Sequence, residues 1–295
     1  MATTGKYSIK DLEALSRIKS HTIRIWEKRY GLLEPERTET NIRYYTNEDL
    51  MKILNVSFLN HHGLKISKIA EMSDDQIRQK VLQTHNTSSN VSDIIENLIV
   101  AMIELDEARF VQLFNNCVLR FGFEQSILNV LFPFFQKIGI MWQTGVINPA
   151  QEHFVSNIVR QKIIAATDSL PVIINPNKPK VLLLLPESEL HEISLLFYNY
   201  ALKSREYATV YLGQAVPLES LTRIADITKP QVIISVITNS TGNLVLQSII
   251  EKLETVKNVK FLLSGASVIK HTEKLPKRIE SFRDLNHLLE LIEKI

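Results

Sequence analysis

The sequence predicts a multidomain chain: a winged helix-turn-helix, then a four-helix bundle, then a doubly wound α/β parallel sheet. Three observations predict it. Residues 7–45 hold two short helical patterns followed by a basic, aromatic hairpin. From about 92 to 170, apolar residues recur at helical period. From 179 onward, short unbroken apolar runs alternate with helical stretches. A length of 295 residues is itself a prior for two domains or more.

In the first block, Ile9, Leu12 and Leu15 form one apolar stripe, which predicts a helix. Ser20 is placed to cap a second helix carrying Ile23 and Trp26, and Gly31 to end it in the left-handed conformation. On that helix Arg24, Lys28 and Arg29 flank the apolar side. Such a helix can enter a major groove. Pro35 and the polar run Arg37 to Asn41 make a turn, and Ile42 to Tyr45 return as a short strand. The resulting wing offers Arg37, Arg43, Tyr44 and Tyr45 to phosphates. Net charge is only +2, and residues 1–45 hold nine Lys/Arg against six Asp/Glu. Any DNA signal therefore lies in the placement of charge and not in its bulk.

Domain boundaries are expected at 1–75, 76–91, 92–172 and 179–295. The segment 76–91 is polar and reads as a linker whose first half suits a helix. In the bundle, Ser92 caps a helix through Ile94, Leu98 and Met102. Further helices follow over Asp106 to Arg120, Phe123 to Gly139 with Pro133 inside, and from Asn148-Pro149 to about Asp168.

The third block has strands at Val181 to Leu185, Ala208 to Leu212, Val232 to Val236 and Lys260 to Leu263, and a fifth at Arg278 to Phe282. Helices at 192–204, 218–228 and 243–257 separate them, and DLNHLLELIEKI closes the chain. Ligands of such sheets bind beyond the C-terminal strand ends. That directs attention to loops 186–192, 237–242 and 264–268.

Composition narrows the classes. Hydrophobic residues at 45% and charged residues at 22% are ordinary for globular protein. The single cysteine, Cys117, excludes an internal disulfide and a Cys-based zinc site, and its apolar helical setting makes it a core residue. No signal peptide pattern opens the chain and no run of about 18 apolar residues is present, so a cytoplasmic protein without a membrane span is expected. There is no P-loop, Gly-x-Gly-x-x-Gly, nucleophile elbow or His-Glu-x-x-His, and the chain reads as a non-enzyme.

The N-terminal block resembles the MerR family of transcriptional regulators. The residues that carry this are Tyr7-Ser8-Ile9, Leu12, His21-Thr22-Ile23-Arg24, Trp26 to Leu32, Pro35, Arg37-Thr38, Ile42 to Tyr45 and Asp49-Leu50, continuing through Leu64 to Ile69. At the wing tip Thr40-Asn41 stand where many relatives have glycines; Asn tolerates the left-handed turn. The resemblance implies a double-stranded DNA operator read by His21, Thr22, Arg24, Lys28, Arg29 and Tyr30, with Arg37, Arg43, Tyr44 and Tyr45 on the wing. It also implies a homo-oligomer, dimer or tetramer, and RNA polymerase as a partner.

The loops of the third block carry a second resemblance. Glu189-Leu190-His191, Ser235-Val236-Ile237 and Ser264-Gly265 look like the cobalamin-binding domain, whose pattern is a carboxylate, one residue, His, two residues, Gly, then Ser-x-Leu, then Gly-Gly. It implies His191 as the lower axial ligand of cobalt, Glu189 as its carboxylate partner, Ser235 against the buried nucleotide base, and room for the nucleotide tail at loop three. This chain departs at Ser194, Ile237 and Ser264, where the pattern has Gly, Leu and Gly. In the helical block, Trp142 followed by Glu152-His153 resembles the upper-face cap of photoreceptor repressors of the CarH and LitR type. That resemblance implies adenosylcobalamin, with Trp142 and Glu152 at the adenosyl group and His153 as a second cobalt ligand after photolysis. The expected function is a cobalamin-sensing, light-responsive DNA-binding repressor. Two alternatives stand beside it: the same architecture without cobalamin, controlled by a protein or another ligand, and a cobalamin-dependent enzyme.

Overall fold

The computed structural model describes residues 6–38, 40–85, 90–143, 147–187, 189–238, 243–270, 275–276 and 278–295, with the backbone alone for 78, 82–85, 142–143 and 243–246. The chain divides into two compact units, Met1–Ile158 and Val159–Ile295.

The first unit opens with α1 (Ile9–Ser16) and α2 (Ser20–Tyr30). Ser8 and Asp11 form a capping box on α1. Leu12 and Leu15 of α1 and Ile23 and Trp26 of α2 are buried, as the stripes require. Ser20 does not cap α2. Lys19 holds the cap position, and Ser20 turns its N–H and hydroxyl toward the Glu13 carboxylate, at 3.0 and 2.5 Å. Those bonds hold the Glu13 carboxyl down to about 2. Gly31 ends α2 at φ 60°. The wing is β1 (Glu36–Arg37) paired antiparallel with β2 (Arg43–Tyr44), and Asn41 takes the left-handed turn at φ 65°.

Next come α3 (Asn47–His61), capped by Thr46 and Asp49, and α4 (Ile66–Ile69). α5 runs Asp74–His85, so a helix fills most of the stretch expected to be a linker. Ser73 and Gln76 cap it reciprocally, and Ile77 and Val81, one turn apart, are buried.

The helical block comprises α6 (Val91–Ile103), α7 (Glu107–Phe121), α8 (Phe123–Ser126), α9 (Phe132–Gln143) and α10 (Pro149–Asp168). Asn90, not Ser92, caps α6; its side chain accepts the Ser92 N–H at 3.0 Å. A π turn over Ile127–Leu131 joins α8 to α9. Pro133 has no N–H to give the helix, and the widened turn just before it absorbs the interruption. Cys117 is buried and burial pushes its thiol up to about 11, as suits a core residue.

The second unit is a five-stranded parallel sheet in the order β4-β3-β5-β6-β7. Its strands are β3 (Val181–Pro186), β4 (Thr209–Val216), β5 (Val232–Val236), β6 (Lys260–Ser264) and β7 (Ile279–Ser281). The connecting helices are α11 (Ile193–Lys203), α12 (Leu221–Thr228), α13 (Asn243–Glu254) and α14 (Ala266–Ile269), and α15 (Leu285–Ile292) follows. β3 and β5 are buried along their full length, which explains their unbroken apolar runs. Leu182, Leu184, Ile233, Phe261 and Leu263 form the heart of that core. From β3 the chain steps outward to the edge strand β4, and from β5 it steps the other way to β6. The switch point lies between β3 and β5, and the crevice in which such sheets bind ligands is the one beyond the C-terminal ends of these strands. Among the described residues no helix is long and apolar enough to cross a membrane.

Candidate functional site

The basic face of the first unit is built on α2 and the wing. Burial of Ile23 and Trp26 turns the opposite side of α2 outward, exposing His21, Arg24, Lys28 and Arg29, with Thr22 and Tyr30 half-buried. The His21 Nε2 lies 3.3 Å from the Thr22 hydroxyl, and Arg29 stacks on the Tyr30 ring at 5.3 Å. On the wing, Arg37 donates to Asn41 Oδ1 at 2.7 Å, which braces the left-handed tip. Tyr44 is half-buried, donates to Glu36 and lies under the Lys6 ammonium, 4.9 Å from the ring centre.

Tyr45 corrects the expectation that it faces phosphate. It is fully buried and pairs with Tyr7 as an isolated antiparallel bridge. Side chains alternate along a strand, so neighbours Tyr44 and Tyr45 point to opposite sides. The Tyr45 hydroxyl donates to Glu27 Oε2 at 3.1 Å, and burial pushes the phenol up to about 12. The other Glu27 oxygen lies 3.6 Å from Arg43 Nε. Glu27 thus ties recognition helix to wing, a role the residue type alone did not signal.

In the second unit, loop one brings Glu189 and His191 to the crevice. Glu189 is 1% exposed. Its Oε1 accepts the His191 backbone N–H at 3.0 Å and lies 2.6 Å from His191 Nδ1. Its Oε2 accepts from the Thr238 N–H at 2.6 Å and from the Thr238 hydroxyl at 2.9 Å. One buried carboxylate therefore binds the loop after β3 to the loop after β5. Thr238 was not anticipated; it stands directly after the Ser-x-Ile triplet. With Nδ1 engaged by a carboxylate, Nε2 is the nitrogen such an imidazole presents to a metal, and the carboxylate raises its basicity. The His191 side chain is 63% exposed, as a ligand to an incoming group must be.

Ser235 in β5 is 1% exposed, and its hydroxyl has no hydrogen-bond partner among the described residues. A buried hydroxyl left so is costly. The nitrogen of an inserted nucleotide base would satisfy it, and on this ground the residues fit a corrinoid with its base displaced. Ile237 is buried, as the Leu of the pattern would be. Ser194 lies within α11, where a helical backbone needs no glycine. Ser264 is buried in β6 without positive φ, so its backbone does not require the glycine of the pattern.

Gly265 behaves differently from expectation. At φ 105°, a Cβ there would sit 2.2 Å from the Ile237 carbonyl oxygen. The room a glycine leaves is filled by the Ile237 main chain, so Gly265 serves contact between loops two and three and does not leave open space. Residues 239–242 of loop two lie outside the described residues.

Glu192, next to His191, was also missed. It is buried and accepts from Arg160 Nε at 2.8 Å and from the Tyr211 hydroxyl at 2.7 Å. In the first unit, Glu152 and His153 stand in the opening turn of α10 with Glu152 Oε2 2.9 Å from His153 Nδ1. His153 is exposed and Glu152 half-buried. Trp142 lies in α9, and its side chain is outside the described residues.

Comparison with known proteins matches the family described as MerR HTH family regulatory protein over residues 7–76. The family described as B12 binding domain matches residues 69–166, the helical segment. The chain is 27% identical to the HTH-type transcriptional repressor CarH of Myxococcus xanthus, over 74% of each chain. It is 24% identical to the repressor CarA of the same organism, over 76% of this chain and 74% of CarA. In fold it is similar to the monomethylamine corrinoid protein of Methanosarcina barkeri, with a TM-score of 0.54 at 15% identity, covering 70% of this chain and all of that one.

Proposed function

We propose that the chain is a MerR-type regulator similar to CarH, with a cobalamin-binding module, and that it represses transcription in response to adenosylcobalamin and light. It is a DNA-binding protein and not an enzyme. His21, Thr22, Arg24, Lys28, Arg29 and Tyr30 of α2 read the groove, while Arg37, Arg43 and Tyr44 grip phosphates. The Glu27 bonds support this division, since they fix the wing relative to α2.

The observation that carries the ligand reading is the Glu189–His191 pair at the switch point, with the orphaned Ser235 hydroxyl in the adjoining strand. His191 would supply an imidazole nitrogen to cobalt, Glu189 would hold its Nδ1 proton, and Thr238 would hold Glu189. Ser235 would donate to the displaced base, and Ile237 would line its slot. Adenosylcobalamin, when bound, supplies a cobalt–carbon bond that light cleaves. Trp142, Glu152 and His153 would cover the adenosyl face, with His153 available as a second imidazole. The protein binds its operator as a homo-oligomer: the small charge excess of residues 1–45 favours avidity over a single tight contact.

A spectral titration of the full chain with adenosylcobalamin in darkness tests this. The wild type is expected to take up the corrinoid with its own base displaced. His191→Ala should weaken uptake by at least about tenfold. No uptake by the wild type at high micromolar ligand would overturn the ligand reading.

A further inference from the structure

We propose that Arg160 and Tyr211 are positioning residues for the His191 imidazole and act through Glu192; the inference rests on the cobalamin reading above. Glu192 follows His191 directly and occupies the cap position of α11, yet its carboxylate makes no cap there. It is turned inward instead, 7% exposed. Oε2 accepts from Arg160 Nε on α10, and Oε1 accepts from the Tyr211 hydroxyl on β4, at 2.8 and 2.7 Å. A buried carboxylate is unfavourable unless it is paired and hydrogen-bonded, and here both oxygens are. Burial first and Glu192 second push the Tyr211 phenol up, so it remains a donor throughout the physiological range.

The consequence lies in the loop. Glu189 fastens residue 189 to Thr238 after β5. Glu192 fastens residue 192 to α10 and to β4. His191 sits between two buried carboxylates, each with both oxygens engaged, so its backbone is held from three separate elements. The Glu189 contact fixes the tautomer, but an imidazole on a loose loop would still swing. A metal ligand must be oriented as well as deprotonated. Arg160 suits the task because its planar guanidinium donates in a fixed direction, which an ammonium does not.

The test uses the full chain, uniformly labelled with nitrogen-15 histidine and loaded with cob(II)alamin, read by electron paramagnetic resonance. Splitting from the axial nitrogen changes with the label only when a protein histidine is the ligand. The wild type should show label-sensitive splitting. Tyr211→Phe removes one oxygen and tests the clamp gently; Arg160→Met removes the charge pair; Arg160→Lys keeps charge but not direction. Tyr211→Phe and Arg160→Met should weaken uptake by about tenfold and give a second, label-insensitive population, with Arg160→Lys between them and the wild type. A merely structural loss would lower stability without changing which nitrogen binds. Wild-type affinity and fully label-sensitive splitting in both Tyr211→Phe and Arg160→Met would overturn the inference while leaving the ligand reading intact. A wild type with no uptake, or with label-insensitive splitting, would overturn the reading and the inference together.

Discussion

His191 Nδ1 lies 2.6 Å from Glu189 Oε1, and the other oxygen of that buried carboxylate holds Thr238 across the crevice. The pair fixes the direction of the imidazole and also joins the two loops at the switch point. Glu189→Gln keeps the shape and removes the charge that favours the Nδ1 proton. It should weaken cobalamin uptake by roughly 10–100-fold, and Thr238→Val by less, since the Thr238 backbone bond survives. Spectral titration of both variants checks the order. Equal uptake by Glu189→Gln and wild type would remove the carboxylate from the account.

On the DNA face, Arg43→Ala should lower the slope of log affinity against log salt by about one unit, and by similar amounts for different DNA sequences. Tyr45→Phe should leave that slope unchanged and cost about 1 kcal/mol of stability, because its hydroxyl bonds Glu27 and not phosphate. Fluorescence anisotropy across a salt series separates them. A reduced slope in Tyr45→Phe would return Tyr45 to the phosphate contacts.

Much of this face was legible in sequence because it is local. Stripes of Leu12, Leu15, Ile23 and Trp26 define the helices, and Gly31 and Asn41 mark the turns. What stayed hidden depends on partners distant in sequence or on one-residue choices. Ser20 and Ser92 are both cap-forming types, but the backbone turns at Lys19 and Asn90. α5 has few apolar residues in a polar stretch, and its reason to fold is packing of Ile77 and Val81. In the crevice the Glu189–His191 spacing pointed to two side chains that the structure brings together. Thr238, Arg160 and Tyr211 carry no local pattern; the parallel sheet brings Thr238 and Tyr211 to loop one, and α10 brings Arg160.

Gly265→Ala should be strongly destabilising, by about 3 kcal/mol, because a Cβ at φ 105° meets the Ile237 main chain at 2.2 Å. Ser264→Gly should change stability by only about 1 kcal/mol, because a glycine in a strand costs backbone entropy but meets no such clash. Urea denaturation of both variants is the check. A mild effect of Gly265→Ala would show that loops two and three do not need their close approach.

Buried Glu96 on α6 sits 3.8 Å from Arg17 and 4.0 Å from Lys137, and Lys137 also donates to the Leu15 carbonyl. Burial raises the Glu96 carboxyl and lowers the Lys137 ammonium. An acid whose folded pKa is raised stabilises fully below its unfolded value, and that contribution is lost as pH rises through the folded value. Lys137→Met removes the cation that most opposes the rise. It should therefore lose roughly 2 kcal/mol more than wild type between pH 4.5 and 7.5, and Glu96→Gln with Lys137→Met should abolish the excess. Denaturation at the two pH values measures it. An equal pH response in Lys137→Met and wild type would show that the carboxyl is not held by that cation.

Corrinoid bound at His191 should alter DNA affinity, and linkage makes this directly measurable. DNA selected from a random pool by the dark, cobalamin-loaded full chain serves as the probe. Its dissociation constant is compared for ligand-free protein, protein saturated with adenosylcobalamin in darkness, and the same sample after illumination. The dark, loaded protein should bind at least about tenfold more tightly than the other two, and His191→Ala should show no such difference. Identical affinity in all three states, with corrinoid demonstrably bound, would contradict it.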